Sequence, residues 1–301
     1  MFKKQFEQEY PKVTIVILNW NNWSDTVDCL ESVYDINYPN FEIVVVDNGS
    51  TDNSVREIKS RFDSLTLLEA HENLGFSKGV NYGIKFAMNN NAEYVFLLNN
   101  DTIVDKNVLT ELVGRISKDQ KVGLVGGKIY FLNEKDKIWS AGGGIKPFSK
   151  RTYHFGENQF DNREYDSERE VDFLSGCCLL IRKEVIREIG LFDTDYFMYY
   201  EDADFCLRTK ELFKVIYYPQ AKIWHKVGNA SRKSNIDYYR MKNHFLFLEK
   251  RYFNNKFIIK IIGLFIFVER VMRIFLREVV FHDSEKISNR MSALIKGFKV
   301  G

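Results

Sequence analysis

Four short, almost unbroken apolar runs punctuate the first hundred residues: Val13 to Leu18, Phe41 to Val46, Leu65 to Glu69 and Tyr94 to Leu98. Runs of this kind, apolar on both faces, belong to parallel strands covered by helices on either side. Between them the period changes to that of a helix. Val27, Leu30, Val33 and Tyr34 form one stripe, with Ser24 as candidate N-cap, and Val55, Ile58 and Phe62 form a second. Val80, Ile84, Ala87 and Met88 make a third, and Val108, Leu109, Leu112, Val113 and Ile116 a fourth, all at i, i+3/i+4, i+7 spacing. Strand and helix in alternation predict βαβ units with right-handed crossovers. Beyond residue 120 the pattern predicts a strand over 122–132, a Gly-rich loop, and a polar surface excursion over 154–170. A strand ending at Arg182 follows, then a short helix closed by Gly190 and a strand over 214–225 that Pro219 places at an edge or a bulge.

Each apolar strand stops at a hydrogen-bonding side chain. Asn19 ends the first, Asp47 and Asn48 the second, Asn73 lies just past the third, and Asn99, Asn100 and Asp101 end the fourth. In an open α/β sheet, ligands sit outside the carboxyl ends of the strands, so these side chains are expected to line one crevice. Asn and Asp also favour turns, but four consecutive strands ending this way favour a site. The crevice is not that of a dinucleotide-binding oxidoreductase or a P-loop enzyme: after the first strand the chain reads NWNNWSD, without the glycines that let a pyrophosphate approach a helix start. A divalent cation held by carboxylates is the other way to hold a diphosphate, and Asp101 supplies such an acid.

The chain has 301 residues, 45% of them hydrophobic and only four proline, enough for one sizeable core and an appendage. Charge is divided unevenly. Residues 1–230 carry 28 Lys and Arg against 35 Asp and Glu; residues 231–301 carry 15 against 6. The basic end contains FIIKIIGLFIFVERVMRIFLREVVF (257–281), too often charged to span a bilayer. Arg270, Arg273 and Arg277 share one helical face with a wide apolar arc opposite, as in an interfacial helix; a helix packed on the body or on a second subunit fits the same pattern. The tail carries no nucleic-acid motif, so no nucleic acid is expected as partner. Four cysteines without C-x-x-C spacing, and a polar start, point to a reducing, cytoplasmic setting.

Seven motifs in order carry a family resemblance: VTIVILNWNN, IVVVDNGSTDNS, NLGFSKGVNYGI, FLLNNDT, FLSGCCLLIRKEVIREIGLFD, YFMYYEDADFCLR and YPQAKIWHKVGNAS. From Val13 to Ser231 the chain resembles glycosyltransferase family 2, inverting enzymes of the GT-A fold, in its rhamnosyltransferase-like branch. The resemblance implies a GT-A α/β fold with a Rossmann-like, mainly parallel mixed sheet flanked by helices and a C-terminal helical extension. A nucleotide-sugar-binding catalytic domain is expected over 1–230, and a basic amphipathic helical region over 231–301. It implies that Asn19, Asp47, Asn48 and Ser50 form the nucleoside pocket, and that Asn73, Gly75, Lys78 and Asn81 flank the nucleotide and its diphosphate, with Asn100 beside them. Asn99-x-Asp101 stands where the family has its D-x-D metal motif, and His225 matches a third metal-associated position; with Asn first, only Asp101 offers an anionic oxygen. Neutral imidazole suits Mn2+ more than Mg2+.

The stretch FDTDYFMYYEDADFCLR (192–208) holds the family's E-D pair, Glu201-Asp202. Transfer to an alcohol needs a base opposite the departing phosphate. Asp202 matches that role, with Glu201 beside it to raise its pKa. Asp204, four residues before Arg208, suits a helix start and an i,i+4 pair. Tyr199 and Tyr200 fit a sugar ring or a core equally well. The expected activity is transfer of a sugar from a nucleotide diphosphate donor, dTDP-rhamnose first and a UDP-hexose or UDP-N-acetylhexosamine second, assisted by Mn2+ or Mg2+. The expected acceptor is a cell-surface polysaccharide or a lipid-linked glycan at the inner face of the membrane, with 257–281 as peripheral contact. The alternative of another class is a non-catalytic glycan- or nucleotide-binding protein of the same fold.

Overall fold

A computed structural model describes residues 10–227, 236–281 and 284–300. Gly228 to Ser231 of the last motif and the side chain of Arg277 lie outside the described residues. The alternation read from the sequence is present: β1 (Val13–Asn19), α1 (Trp23–Tyr34), β2 (Phe41–Asp47), α2 (Ser54–Arg61), β3 (Thr66–Glu69), α3 (Gly75–Asn89) and β4 (Tyr94–Asn99). β5 (Thr102–Val104), α4 (Val108–Ile116), β6 (Val122–Phe131), β7 (Glu134–Ser140), β8 (Gly143–Ile145), β9 (Thr152–His154) and β10 (Arg169–Glu170) follow. The chain continues through β11 (Cys178–Arg182), α5 (Lys183–Glu188), α6 (Glu201–Thr209), β12 (Lys214–His225), α7 (Ile236–Arg251), α8 (Lys256–Phe281) and α9 (Ser284–Val300).

The main sheet runs in the order β10-β12-β6-β11-β4-β1-β2-β3, with β5 on β12 and β7 on β6. β1 to β4 are mutually parallel, and β11 enters antiparallel between β4 and β6. β1 shows why both faces are covered. Val13, Ile15 and Ile17 point into a core with Leu30, Val33, Ile58, Leu109 and Leu112, whereas Val16 points the other way, onto Val80, Ile84 and Ala87. Each such aliphatic side chain, removed from water, stabilises the fold by about 1.5–3 kcal/mol. Pro219 lies where β12 slips register against β6, between Tyr217 and Lys222, a bulge inside the sheet. The cap of α1 differs from expectation: the helix opens at Trp23 after Asn22, whose Nδ2 donates to Asp25 Oδ2 at 2.8 Å, so Ser24 already lies inside the first turn.

The polar excursion over 154–170 is anchored. Lys128, fully buried in β6, draws Asp161 Oδ2 to 2.8 Å and Asp166 Oδ1 to 2.5 Å of its Nζ. The C-terminal helices form a third core of their own, in which Met241, Phe245 and Leu248 of α7 meet Ile259, Ile262 and Ile266 of α8 and Leu294 of α9. They are also riveted to the body, because Phe247 of α7 packs into the main core. Arg251 Nε donates to Asp204 Oδ1 at 2.5 Å, and the same buried carboxylate takes Arg208 Nε at 3.0 Å as the i,i+4 spacing predicts.

Removing Asp204 takes the carboxylate from Arg251 Nε and from Arg208 Nε, although Arg208 keeps the carbonyls of Ile189 and Leu191. Asp204→Ala is expected to cost about 3–5 kcal/mol in urea unfolding, whereas Lys59→Ala in the exposed pair with Glu69 should change stability by less than about 1 kcal/mol. Equal small losses would remove Asp204 from its role as hub.

Candidate active site

The strand-end side chains form two joined hydrogen-bonded clusters. Asn19, buried at the end of β1, donates from Nδ2 to Asp47 Oδ1 at 2.7 Å and to Ser50 Oγ at 3.2 Å, and its Oδ1 accepts from Thr26 Oγ1 at 2.8 Å. The Ser50 N–H donates to Asp47 Oδ2 at 2.9 Å, so both carboxylate oxygens are oriented. Asn100 joins through Nδ2 to Thr26 Oγ1 at 2.8 Å. Next to Asp47, Asn48 accepts from the Leu74 N–H at 3.0 Å and donates to Asn73 Oδ1 at 3.2 Å and Gly75 O at 3.0 Å, which shapes the loop into α3. Lys78 is exposed in the first turns of that helix.

Two expected nucleotide neighbours have other work. Asn81 is buried and spends both ends of its amide on the Phe192 backbone, donating to its carbonyl at 2.8 Å and accepting from its N–H at 3.0 Å. Gly75 lies against the protein itself: its φ is +78°, and a β-carbon there would come within 2.5 Å of Phe197 O. The N–H of Phe76 donates to that same carbonyl at 2.7 Å. Both contacts tie α3 to the segment 192–200 that leads into α6.

Asp101 and His225, 124 positions apart, meet at the paired ends of β5 and β12: Asp101 Oδ1 lies 3.0 Å from His225 Nε2, and the Lys226 N–H donates to Asp101 O at 2.8 Å. His225 Nδ1 is buried without a hydrogen-bond partner, and Trp139 stands edge-on to the ring at 4.8 Å. Among the described residues no group of three or more His, Cys, Asp or Glu side chains converges as a metal cage. One carboxylate and one imidazole fit a cation that draws its remaining ligands from a bound diphosphate.

Glu201 and Asp202 open α6 after an unusual turn. Tyr199 and Tyr200 both have left-handed backbones, at φ 70° and 75°, a conformation that costs bulky residues of order 1–3 kcal/mol each. The turn is held from α7, where buried Asn243 donates from Nδ2 to Met198 O at 2.8 Å and Tyr199 O at 3.1 Å. Tyr200 is a core residue, stacked on His244 and packed against Phe247; Tyr199 is half-buried beneath the guanidinium of Arg240. Burial pushes the Asp202 carboxyl up to about 6 against the opposing backbone N–H groups of Ala203 and Gly176, the former at 2.8 Å. Burial, reinforced by Asp202, raises Glu201 well above the usual glutamate range, and its Oε2 is buried without a partner.

The segment Ser175 to Cys177 brings the two acids together. The Gly176 N–H faces Asp202, the Cys177 carbonyl accepts from the Asn99 N–H at 3.3 Å, and the Cys177 thiol is subject to the charges of both Asp101 and Asp202. The Asp101 carboxylate and a carboxylate with its pKa moved towards neutrality thus flank one short loop at the carboxyl ends of the strands. This is the arrangement needed to stabilise a leaving diphosphate on one side and accept a proton on the other.

The model of the glycosyl transferase family 2 matches residues 14–190, more than half of the chain. The chain belongs to glycosyl transferase family 2. This family 2 glycosyltransferase is 27% identical over 231 residues to the N-acetylglucosaminyl-diphospho-decaprenol L-rhamnosyltransferase of Mycobacterium tuberculosis, covering 70% of this chain and 75% of that one. It is 24% identical over 250 residues to the dTDP-rhamnosyl transferase RfbF of Shigella flexneri, covering 79% and 80%. The fold matches that of a Pyrobaculum calidifontis mannosyltransferase solved with GDP-Man and Mn2+, at TM-score 0.56 and 16% identity over 96% of this chain and 86% of that one.

Asn243 and Gly176 are not singled out by sequence. Gly176 acts through its own backbone N–H and Asn243 through a side-chain amide aimed at backbone carbonyls from the middle of a helix, and neither residue type announces that role. The Asp202 environment has a thermodynamic consequence. Because its pKa is raised on folding, the folded state holds the proton more tightly, and stability is lost as pH rises through the window between about 4 and about 6. Asp202→Asn is therefore expected to raise Tm, by more at pH 8 than at pH 5. A lower Tm at pH 8 would show that the ionised carboxylate stabilises its surroundings.

Proposed function

We propose that this glycosyltransferase moves rhamnose from a dTDP-linked donor to a glycan acceptor, polysaccharide or lipid-linked, by a single inverting displacement in which Asp202 is the base. The observation that carries the reading is the pairing of Asp101–His225 and Glu201–Asp202 across the Ser175–Cys177 loop. Donor and acceptor classes follow the two relatives, one acting with dTDP-rhamnose by name and the other on a diphospho-decaprenol carrier by name.

In this reading the base moiety of the donor lies over the Asn19–Asp47–Ser50 cluster, where the oriented carboxylate can accept from a pyrimidine N–H. Asn48, Asn73 and Asn100 shape the wall beside it, and Lys78 reaches in from the exposed side of α3. Asp101 and His225, with Asn99 adjacent, would hold Mn2+ or Mg2+, and a bound cation supplies charge neutralisation of the departing diphosphate. Asp202 takes the proton of the attacking hydroxyl as the new C–O bond forms at the anomeric carbon; the electron pair of the old C–O bond leaves with the diphosphate. A pKa near 6 leaves Asp202 ionised at neutral pH yet more basic than an ordinary aspartate; burial raises it, whereas the charge effect between the two acids acts on Glu201, which Asp202 pushes up. No helix among the described residues is long and apolar enough to cross a membrane. α8 instead supports contact with a membrane face, since one side packs on α7 and α9 while the other is apolar and exposed.

The test is a thermal-shift series with dTDP-rhamnose, UDP-glucose and UDP-N-acetylglucosamine, each with and without Mn2+, beside turnover read as nucleoside diphosphate release. Asp202→Asn should keep the donor-induced shift and lose about 10^2- to 10^4-fold in turnover, whereas Asp101→Asn should lose the Mn2+-dependent part of the shift. Near-normal turnover by Asp202→Asn would refute the base assignment, and a shift with the UDP sugars alone would replace the donor.

A further inference from the structure

A second polar site lies between α7 and α8, in the C-terminal helices. It is a cavity of about 540 Å³ walled by Arg151, Arg240, Arg270, Arg273 and Arg290, with Asp237 as the acid in its lining. Some of this charge is answered. Arg290 Nε donates to Asp237 Oδ2 at 2.8 Å, and Arg151 and Arg273 share Glu269 at 2.6 and 2.5 Å. Arg270 is not: its Nε is buried and has no hydrogen-bond partner among the described residues. Burial first, and then the neighbouring Arg151 and Arg240, pull its pKa below the ordinary arginine value. A buried guanidinium beside four others is costly unless an anion completes the site, and planar N–H forks match phosphate oxygens.

The exposed side of α8 adjoins this cavity. Phe257, Ile261, Leu264, Phe265, Val268 and Met272 form an apolar stripe, all close to half exposed or more. Leu276 ends the stripe at 71% exposure and also lines the cavity. From Phe257 to Leu276 the stripe runs roughly 28 Å at 1.5 Å per residue; Phe148, itself exposed, stands edge-on to Phe265 at 5.8 Å. At the other wall, Arg240 lies 4.8 Å from the ring centroid of Tyr199, in the turn that immediately precedes Glu201 and Asp202. The cavity therefore lies between an apolar outer surface at Leu276 and, through Arg240, the turn that leads into Glu201 and Asp202.

We propose that the arginine cavity binds the phosphate or diphosphate of a lipid-linked acceptor, with the lipid along the exposed face of α8 and the sugar presented towards Asp202. The proposal deepens the acceptor reading given above and rests on it. Charge complementarity selects this occupant over a symmetric second copy of the chain, which would set one arginine cluster near another. Arg270, with Arg240 and Arg273, then reads phosphate, while Leu264, Met272 and Leu276 read hydrocarbon.

The experiment is vesicle co-sedimentation of the full chain, free of donor, so that it does not depend on turnover. Phosphatidylcholine vesicles are compared with the same vesicles carrying a polyprenyl diphosphate, and with vesicles carrying phosphatidylserine. Wild-type protein should bind the diphosphate-bearing vesicles roughly tenfold more tightly than either control, and inorganic pyrophosphate should compete the excess away. Arg270→Gln should abolish that excess and leave the residual binding to plain vesicles, whereas Leu264→Asp should weaken binding to every vesicle. The pyrophosphate arm uses wild-type protein and stands whether or not a variant folds. Equal binding to all vesicles, or equal preference for phosphatidylserine, overturns the phosphate site. If Arg270→Gln instead removes the donor-induced thermal shift, the cavity belongs to the donor diphosphate. A change of oligomeric mass in Leu264→Asp without change in vesicle binding assigns the stripe to self-association. Loss of turnover with every nucleotide sugar, with vesicle binding intact, would strike the donor reading and leave this one standing.

Discussion

The paired left-handed backbone at Tyr199 and Tyr200 is the constraint from which the geometry around Glu201 and Asp202 follows. Neither residue favours that conformation, so something must overcome a local cost of order 1–3 kcal/mol for each. Asn243 holds the two carbonyls of the turn, Tyr200 is wedged between His244 and Phe247, and Gly75 lets α3 press against Phe197. Only with the turn closed in this way does α6 begin at Glu201, with Asp202 beside Gly176. The strain and the chemistry occupy the same few residues, and the restraint comes from α7, a helix distant in sequence.

This arrangement joins the basic C-terminal region to the acidic body. The change of composition near residue 230 suggests an appendage, yet α7 supplies Asn243 to the active-site turn, Arg251 to the Asp204 hub and Phe247 to the main core. Burial of Glu201 and Asp202 is accordingly expensive for stability. Both carboxyls would rather be protonated, and the backbone N–H groups of Ala203, Gly176 and Asp202 itself oppose that for Asp202. A carboxyl that titrates near 6 and a fold that would be firmer without it are two consequences of the same desolvation.

The strand ends obey a different economy. Asp47 is oriented by Asn19 and Ser50, Asn48 shapes the loop to Gly75, and Asn100 reaches back to Thr26. These groups satisfy one another and leave a rigid polar floor, in contrast to the orphaned Nδ1 of His225, Oε2 of Glu201 and Nε of Arg270. Buried polar atoms without partners are rare in folded proteins, and among the described residues Ser54, Ser77, Asn243 and His244 each carry one as well.

How much of this was legible follows from the range of each interaction. The parallel strands, the covering helices and the polar residues at strand ends are written in local periodicity, because a strand buried on both faces must be apolar throughout and must stop where its backbone meets water. The family motifs likewise named Asp101, Glu201, Asp202 and His225. What periodicity could not carry was the use of Asn81 and Gly75 to bind the protein's own segment at Phe192 and Phe197, since a side chain that serves ligand and one that serves backbone look alike in a string. The left-handed tyrosines, the grip of Asn243 and the gathering of Arg151, Arg240, Arg270 and Arg290 belonged to the tertiary structure alone. The chain by itself determined which faces were apolar and which acids were available; packing between elements more than forty residues apart decided which of those groups lost water, and with it their chemistry.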